Sequence, residues 1–287
     1  MRSLVFGGTG MLGRALVSEA QRRGWPALGL SRGEADVTDG AAVQRWVRQF
    51  EPEVVFNCAA ATKVDECEER RDEAFAVNGE AVAGLAEAAS AAGARLVQVS
   101  TDYVFDGAAR EPYAEEAPAA PLSVYGASKR LGEERALAYE GSLVVRTSWL
   151  FGPGGANFVT AMLRLIAERR LPLRVVDDQT GCPTYTPFVA TALCDLVERG
   201  ATGVVHYRNR EPVSWYGLAR EIVARWQPEV EVVPVATREF PRPAARPAYS
   251  VLAVDRFEAL VGRVVEHWGT GLSEYLTGLR RSGAGAL

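Results

Sequence analysis

Short apolar runs punctuate the first half of the chain at residues 4–6, 27–30, 54–56, 96–99 and 143–145. Each is too short for a buried helix. Between them lie longer Ala-rich stretches with helical spacing, such as 80–92. Strands alternating with helices predict β-α-β units, and so a parallel sheet covered on both faces. Unrelated α/β folds share this alternation, which therefore sets only the class.

The second half is less regular. Gly and Pro cluster at 152–155, 181–187 and 241–247, and helices are expected over 158–169, 188–198 and 215–226. Residues 1–150 read as one unit, with a segment near 171–210 returning to it. Most of 151–287 reads as a smaller, interleaved α/β lobe at the sheet's carboxyl edge. The last residues, 282–287, are expected to fray. No internal repeat or low-complexity tract occurs.

Composition narrows the function classes. The 287 residues are 48% hydrophobic and 24% charged, with a net charge of -4. That balance suits a water-soluble globular chain and gives no basic footprint for nucleic acid. Arg238, Arg242 and Arg246 do cluster, and read either as a solvated loop or as a local anion site. The four cysteines, Cys58, Cys67, Cys182 and Cys194, form no Cys-x-x-Cys, and His206 and His267 lie far from them in sequence. This argues against a zinc site and for reduced thiols in a cytoplasmic protein. The first strand runs straight into glycines, without a signal peptide, and no apolar stretch approaches the about 18 residues that span a membrane.

Gly7, Gly10 and Gly13 give Gly-x-x-Gly-x-x-Gly directly after the first strand and at the start of a helix. Such a turn lets backbone approach a pyrophosphate, and the helix N-terminus supplies N–H donors. Its bland reading is a tight strand-to-helix turn. No Gly-Lys-Ser/Thr ends the segment, which excludes a P-loop. The fold class expected is thus α/β, a Rossmann-type doubly wound parallel sheet. After the second strand the chain reads Ser31, Arg32, Gly33, Glu34. An acid there would bond a ribose 2′-hydroxyl, whereas Arg accommodates a 2′-phosphate. Ser31 and Arg32 favour NADPH. Glu34 keeps NADH as the alternative.

Tyr125 and Lys129 stand four apart, on one face of a helix. A ketone receiving hydride becomes an alkoxide and needs a proton. A phenol of pKa about 10 is a poor donor–acceptor at neutral pH, and a nearby ammonium is expected to lower it. Thr101, after the fourth strand, suits a hydroxyl that holds the carbonyl oxygen. Tyr-x-x-x-Lys alone is common on surface helices. Combined with the glycine turn and Thr101, it resembles the extended short-chain dehydrogenase/reductase family.

Longer runs carry a narrower resemblance. Residues 57–65 (NCAAATKVD), 100–107 (STDYVFDG), 146–152 (RTSWLFG), 178–184 (DQTGCPT) and the pair Arg246-Pro247 are similar to dTDP-4-dehydrorhamnose reductases. Cys58 stands where alanine is more usual. The resemblance implies NADPH-dependent reduction of dTDP-4-dehydro-β-L-rhamnose to dTDP-L-rhamnose. It implies a cofactor site at Gly7, Thr9, Gly10, Met11, Leu12, Gly13, Ser31, Arg32, Asp36, Val37, Ala60, Ala61 and Thr62, together with Tyr125 and Lys129. Thr101, Tyr125 and Lys129 would be catalytic. Val64, Thr101, Asp102, Tyr103, Trp149 and Gln179 would face the dTDP-sugar, with core packing the plain alternative for Val64 and Trp149.

Rival functions differ at single residues. Nucleotide-sugar 4,6-dehydratases place Asp-Glu after the threonine, and here Tyr103 takes the Glu position. A 4-epimerase shares Tyr and Lys and is not separated by sequence. The β subunit of methionine adenosyltransferase resembles these reductases and binds NADP as a partner protein. The intact Thr101, Tyr125 and Lys129 weigh against that role. A homodimer is compatible with the sequence and not decided by it.

Overall fold

The computed structural model describes residues 1–282; the expected fraying at 282–287 falls, apart from Ser282, outside them. The five apolar runs are strands β1 (Ser3–Phe6), β2 (Ala27–Leu30), β3 (Val54–Asn57), β4 (Arg95–Thr101) and β5 (Ser142–Thr147). A sixth strand, Gly203–His206, pairs with β5. The order is β2, β1, β3, β4, β5, then Gly203–His206, and every pair is parallel. This is the Rossmann-type doubly wound α/β fold, with its switch point between β1 and β3.

The strands are continuously apolar because both sheet faces are covered. Val5, Phe56, Val97 and Val145 face one core, with Leu16 of helix α1 (Met11–Arg22). Leu4, Phe6, Val55 and Leu96 face the other, with Val43 and Val47 of α2 (Gly40–Phe50). The period-two alternation of side chains thus feeds two cores from one sheet.

Between β3 and β4 run α3 (Val64–Glu69), α4 (Arg71–Phe75), a π-helical turn (Ala76–Glu80) and α5 (Ala81–Ala91). The helix expected over 80–92 is therefore α5, entered through a turn one residue too wide. Helix α6 (Val124–Leu137) follows β4 and is capped by the Ser123 hydroxyl, which accepts from the Gly126 amide at 3.1 Å.

Helix α7 (Phe158–Ala167) stops short of the expected 169, because Arg169 adopts φ 53° in the left-handed region. Helix α8 (Thr186–Glu198) starts two residues before the expected 188, with Pro187 in its first turn. Helix α8 joins the core over α1, and so do Phe257 and Val261 of α10 (Asp255–Val261). A separate core gathers α7, α9 (Trp215–Trp226) and α11 (Trp268–Arg281). Short pairs brace it: 173–176 with 232–235, 180–181 with 213–214, and 150–151 with 184–185. No described helix is long and apolar enough to cross a membrane.

Candidate active site

The glycine turn lies at the switch point. Gly7 has φ 73°, and a Cβ there would stand 2.6 Å from the Ala59 amide nitrogen. A Cβ on Gly13 would stand 2.2 Å from the Gly7 carbonyl oxygen, so α1 must begin pressed onto the turn. Helix α1 has no side-chain cap and no acidic residue in its first turn. Its N–H groups and positive dipole end are therefore left for an anion.

A cavity of about 440 Å³ opens here, lined by Gly7, Thr9, Gly10, Arg32, Ala35, Asp36, Val37 and residues 58–63. The free N–H groups at the start of α1 and the Arg32 guanidinium in the cavity wall suit the phosphates of a dinucleotide. Leu12 is buried in the core, and the Met11 sulfur accepts from the Asn157 amide at 3.7 Å. Ser31 is turned away. Its amide and hydroxyl both donate to the Glu34 carboxylate, at 2.8 and 2.6 Å.

Asn78, which sequence reasoning missed, sits in the π turn. Its Oδ1 accepts from the Ala61 amide at 2.7 Å, while its Nδ2 donates to the Ala61 carbonyl and to Ser128 of α6, both at 3.0 Å. One buried amide thus fixes the Ala61 wall of the cavity to the helix bearing Tyr125 and Lys129. Only the wide turn aims it there, and no local pattern signals it.

Thr101 ends β4, and Tyr125 and Lys129 stand on α6, which packs against that strand. The Thr101 hydroxyl donates to Asp102 Oδ1 at 3.0 Å and accepts from the Tyr103 amide at 3.2 Å. Tyr125 is only partly exposed. Burial holds its phenol protonated well above the usual range, with the Thr101 hydroxyl pulling the other way. The buried Lys129 ammonium donates to the Val99 carbonyl at 2.6 Å. Burial lowers its pKa to about 8, against the attraction of Glu133. The expected lowering of the Tyr125 pKa by Lys129 is not found: the lysine is held on the strand, and desolvation of the phenol dominates. Glu133 receives Arg146 at 2.8 Å through both Nε and Nη2, and the Ser100 hydroxyl at 2.7 Å.

A second cavity, of about 730 Å³, lies beside α7, lined by its Phe158, Met162 and Leu165. Five arginines line it (Arg170, Arg174, Arg238, Arg242 and Arg246), with Phe158, Trp215 and Phe240 among its aromatic walls and no carboxylate. Tyr103 and Gln179 also line it, and the Tyr103 ring meets the Tyr125 ring edge-on at 5.9 Å. Val64 opens α3. Asp102 is 2% exposed behind Thr101. Trp149 stacks on Trp215, which lines this cavity, with centroids 3.5 Å apart and planes 3° apart. Among the described residues, no group of three His, Cys, Asp or Glu side chains is placed to hold a metal.

A glycine cradle at a switch point, with Thr, Tyr and Lys beside it, is the layout of a nicotinamide-dependent oxidoreductase of the extended short-chain dehydrogenase/reductase class. The chain belongs to the family described as the RmlD substrate binding domain, whose model matches residues 1–281. It is 43% identical over 281 residues to a dTDP-4-dehydrorhamnose reductase of Streptomyces griseus, covering 95% of this chain and 92% of the relative. A crystal structure of a dTDP-4-dehydrorhamnose reductase from Clostridium acetobutylicum superposes with a TM-score of 0.94 at 38% identity, covering 98% of this chain and 100% of that one. The Bacillus anthracis dTDP-4-dehydrorhamnose reductase, solved with NADP, gives 0.92 at 35% identity, covering 96% and 99%.

Proposed function

We propose that this protein reduces the 4-keto group of dTDP-4-dehydro-β-L-rhamnose with NADPH, giving dTDP-L-rhamnose. The observation that carries this reading is the arginine-rich and aromatic second cavity, which reaches Tyr125 through Tyr103. Guanidinium groups suit a diphosphate, and flat rings suit a base and a sugar face.

Gly7, Thr9, Gly10 and the start of α1 hold the cofactor diphosphate. Arg32, Asp36 and Val37 flank its adenosine end, and Ala60, Ala61 and Thr62 run along it. Bound NADPH supplies the hydride. Tyr125 donates its proton to the carbonyl oxygen as charge develops there, and Thr101 holds that oxygen in place. Lys129 stands one turn from Tyr125 on the same helix, and its ammonium would favour the phenolate left behind once it turns from the Val99 carbonyl. Tyr103 and Gln179 bound the sugar end of the second cavity.

The test follows NADPH absorbance with enzymatically made dTDP-4-dehydro-β-L-rhamnose. Stoichiometric oxidation by the wild type, lost in Tyr125→Phe, is expected. No oxidation despite tight NADPH binding would overturn the reading in favour of another nucleotide sugar or a non-catalytic partner protein.

A further inference from the structure

Arg70 is a cation that neither the glycine turn nor the Tyr-Lys pair accounts for. It is the N-cap residue of α4 and lines the first cavity. Arg32 lines the same cavity from the β2 side. Glu73 stands between them, with one oxygen 2.5 Å from Arg70 Nη2 and the other 3.8 Å from Arg32 Nη1. Arg32 commits its Nε to Asp36 at 3.0 Å, and its contact with Glu73 is too long for a hydrogen bond. Two guanidinium groups on different elements therefore converge on one carboxylate, and Arg32 still has terminal N–H groups to offer.

The other charged residues lining this cavity are Lys63, Glu66 and Asp36. Lys63 and Glu66 are paired to each other at 2.8 Å. Asp36 is held ionised, chiefly by the Thr38 amide and hydroxyl and then by Arg32. The lining thus carries three cations and three carboxylates, with Glu73 shared between Arg32 and Arg70. Ser31 and Glu34, the other groups at the end of β2, bond each other and do not line the cavity. Recognition at this end passes to the two arginines.

We propose that Arg70 is a cofactor-selecting residue: together with Arg32 it forms a two-sided clamp for the 2′-phosphate of NADPH, and Glu73 holds the two guanidinium groups in place until that phosphate arrives. The inference rests on the reading that the first cavity takes a nicotinamide dinucleotide. A phosphate dianion outcompetes a single carboxylate for two guanidinium forks, and its three free oxygens can serve both arginines bidentately.

The test is direct binding of NADPH and of NADH to the full chain, followed by cofactor fluorescence without substrate. In Arg70→Gln the ratio of the two dissociation constants shifts against NADPH by about 10- to 100-fold, the effect of losing charge-assisted hydrogen bonds. Arg70 is exposed, so folding is not at stake. Arg71→Gln is the control, because Arg71 stacks on Phe75 and does not line the cavity. Its ratio stays at the wild-type value. Arg32→Gln with Arg70→Gln brings the two constants together. An unchanged ratio in Arg70→Gln, or an equal shift in Arg71→Gln, overturns the clamp alone. Failure of the wild type to bind either nucleotide overturns both the clamp and the reading beneath it.

Discussion

Asp65 ties the first cavity to the second through Arg246. The two Asp65 oxygens lie 3.0 and 2.9 Å from Nη1 and Nη2 of Arg246, and the Ala244 amide donates to Asp65 Oδ1 at 3.2 Å. Arg246 lines the second cavity, while Lys63 and Glu66, on either side of Asp65 in sequence, line the first. Partial burial works against the Asp65 charge, yet Arg246, the Ala244 amide and Arg242 together hold it ionised below the usual carboxylate range.

The pair predicts coupling between the sites. Asp65→Asn keeps the shape and removes the charge that orients Arg246. The KM for the dTDP-sugar is expected to rise several-fold, with a smaller change in NADPH affinity. A double-mutant cycle with Arg246→Gln on substrate binding should give a coupling of about 1 kcal/mol, as suits a partly exposed pair. Strict additivity of the two substitutions would deny the link.

Tyr125→Phe removes the proton donor while keeping the ring that packs edge-on against Tyr103. Turnover should fall by roughly two to four orders of magnitude with little change in cofactor affinity. Single-turnover measurement separates this loss from any slowing of product release.

Lys129 sets an alkaline limit. Its pKa is lowered to about 8 by burial, so its ammonium is full below that value and is lost as pH rises through it. For the free enzyme, kcat/KM should decline above about pH 8. Lys129→Met should lower activity across the whole range and abolish that limb. A wild-type profile that stays flat to pH 10 would exclude Lys129 as the group that must be charged.

Much of this was legible in the chain because it is local. Five strands declared themselves as short apolar runs, since a sheet covered on both faces needs no polar alternation. The glycine turn and the Tyr125–Lys129 spacing follow from one turn and one helix. Asn78 and Arg70 were not legible. The first depends on a π turn that no residue pattern announces, and the second on α4 folding over the end of β2. The strand Gly203–His206 carries only two adjacent valines, and its pairing with β5 is a tertiary event. The stacking of Trp149 on Trp215 was not legible either; it comes from the Trp149 φ of 44° and from the 180–181 and 213–214 pairing.

That arrangement makes Gly181 a sensitive position. A Cβ there would lie 2.4 Å from Cε2 of Trp149, whose other face carries Trp215. Gly181→Ala must push the indole off its stack. The expected cost is about 1–3 kcal/mol of stability, as for an overpacked core site. Near-ultraviolet circular dichroism should lose the signal of the paired indoles together with the drop in Tm. An unaltered spectrum would mean that the wall can yield without parting the two rings.

Asp102 provides a test of pH-dependent stability with the opposite sign to ordinary surface carboxylates. It is buried beside Thr101 and Tyr103, and its Oδ2 makes no hydrogen bond. Burial raises its pKa from 3.8 to about 7, despite the Ser250 and Thr101 hydroxyls. The folded chain therefore binds a proton that the unfolded chain has released between about pH 4 and 7. Over that window this group makes stability fall as pH rises, and the loss is complete above about 7. His206, buried and with its pKa lowered to about 3, contributes the reverse trend, because the folded state excludes its proton. Comparing the wild type with Asp102→Asn cancels the histidine, which both proteins share. The difference in unfolding free energy, variant minus wild type, should grow from about pH 4 to pH 7 and then level off. A difference that does not vary with pH would mean that Asp102 is ionised in the folded protein, and that a neutral acid behind Thr101 plays no part in the resting site.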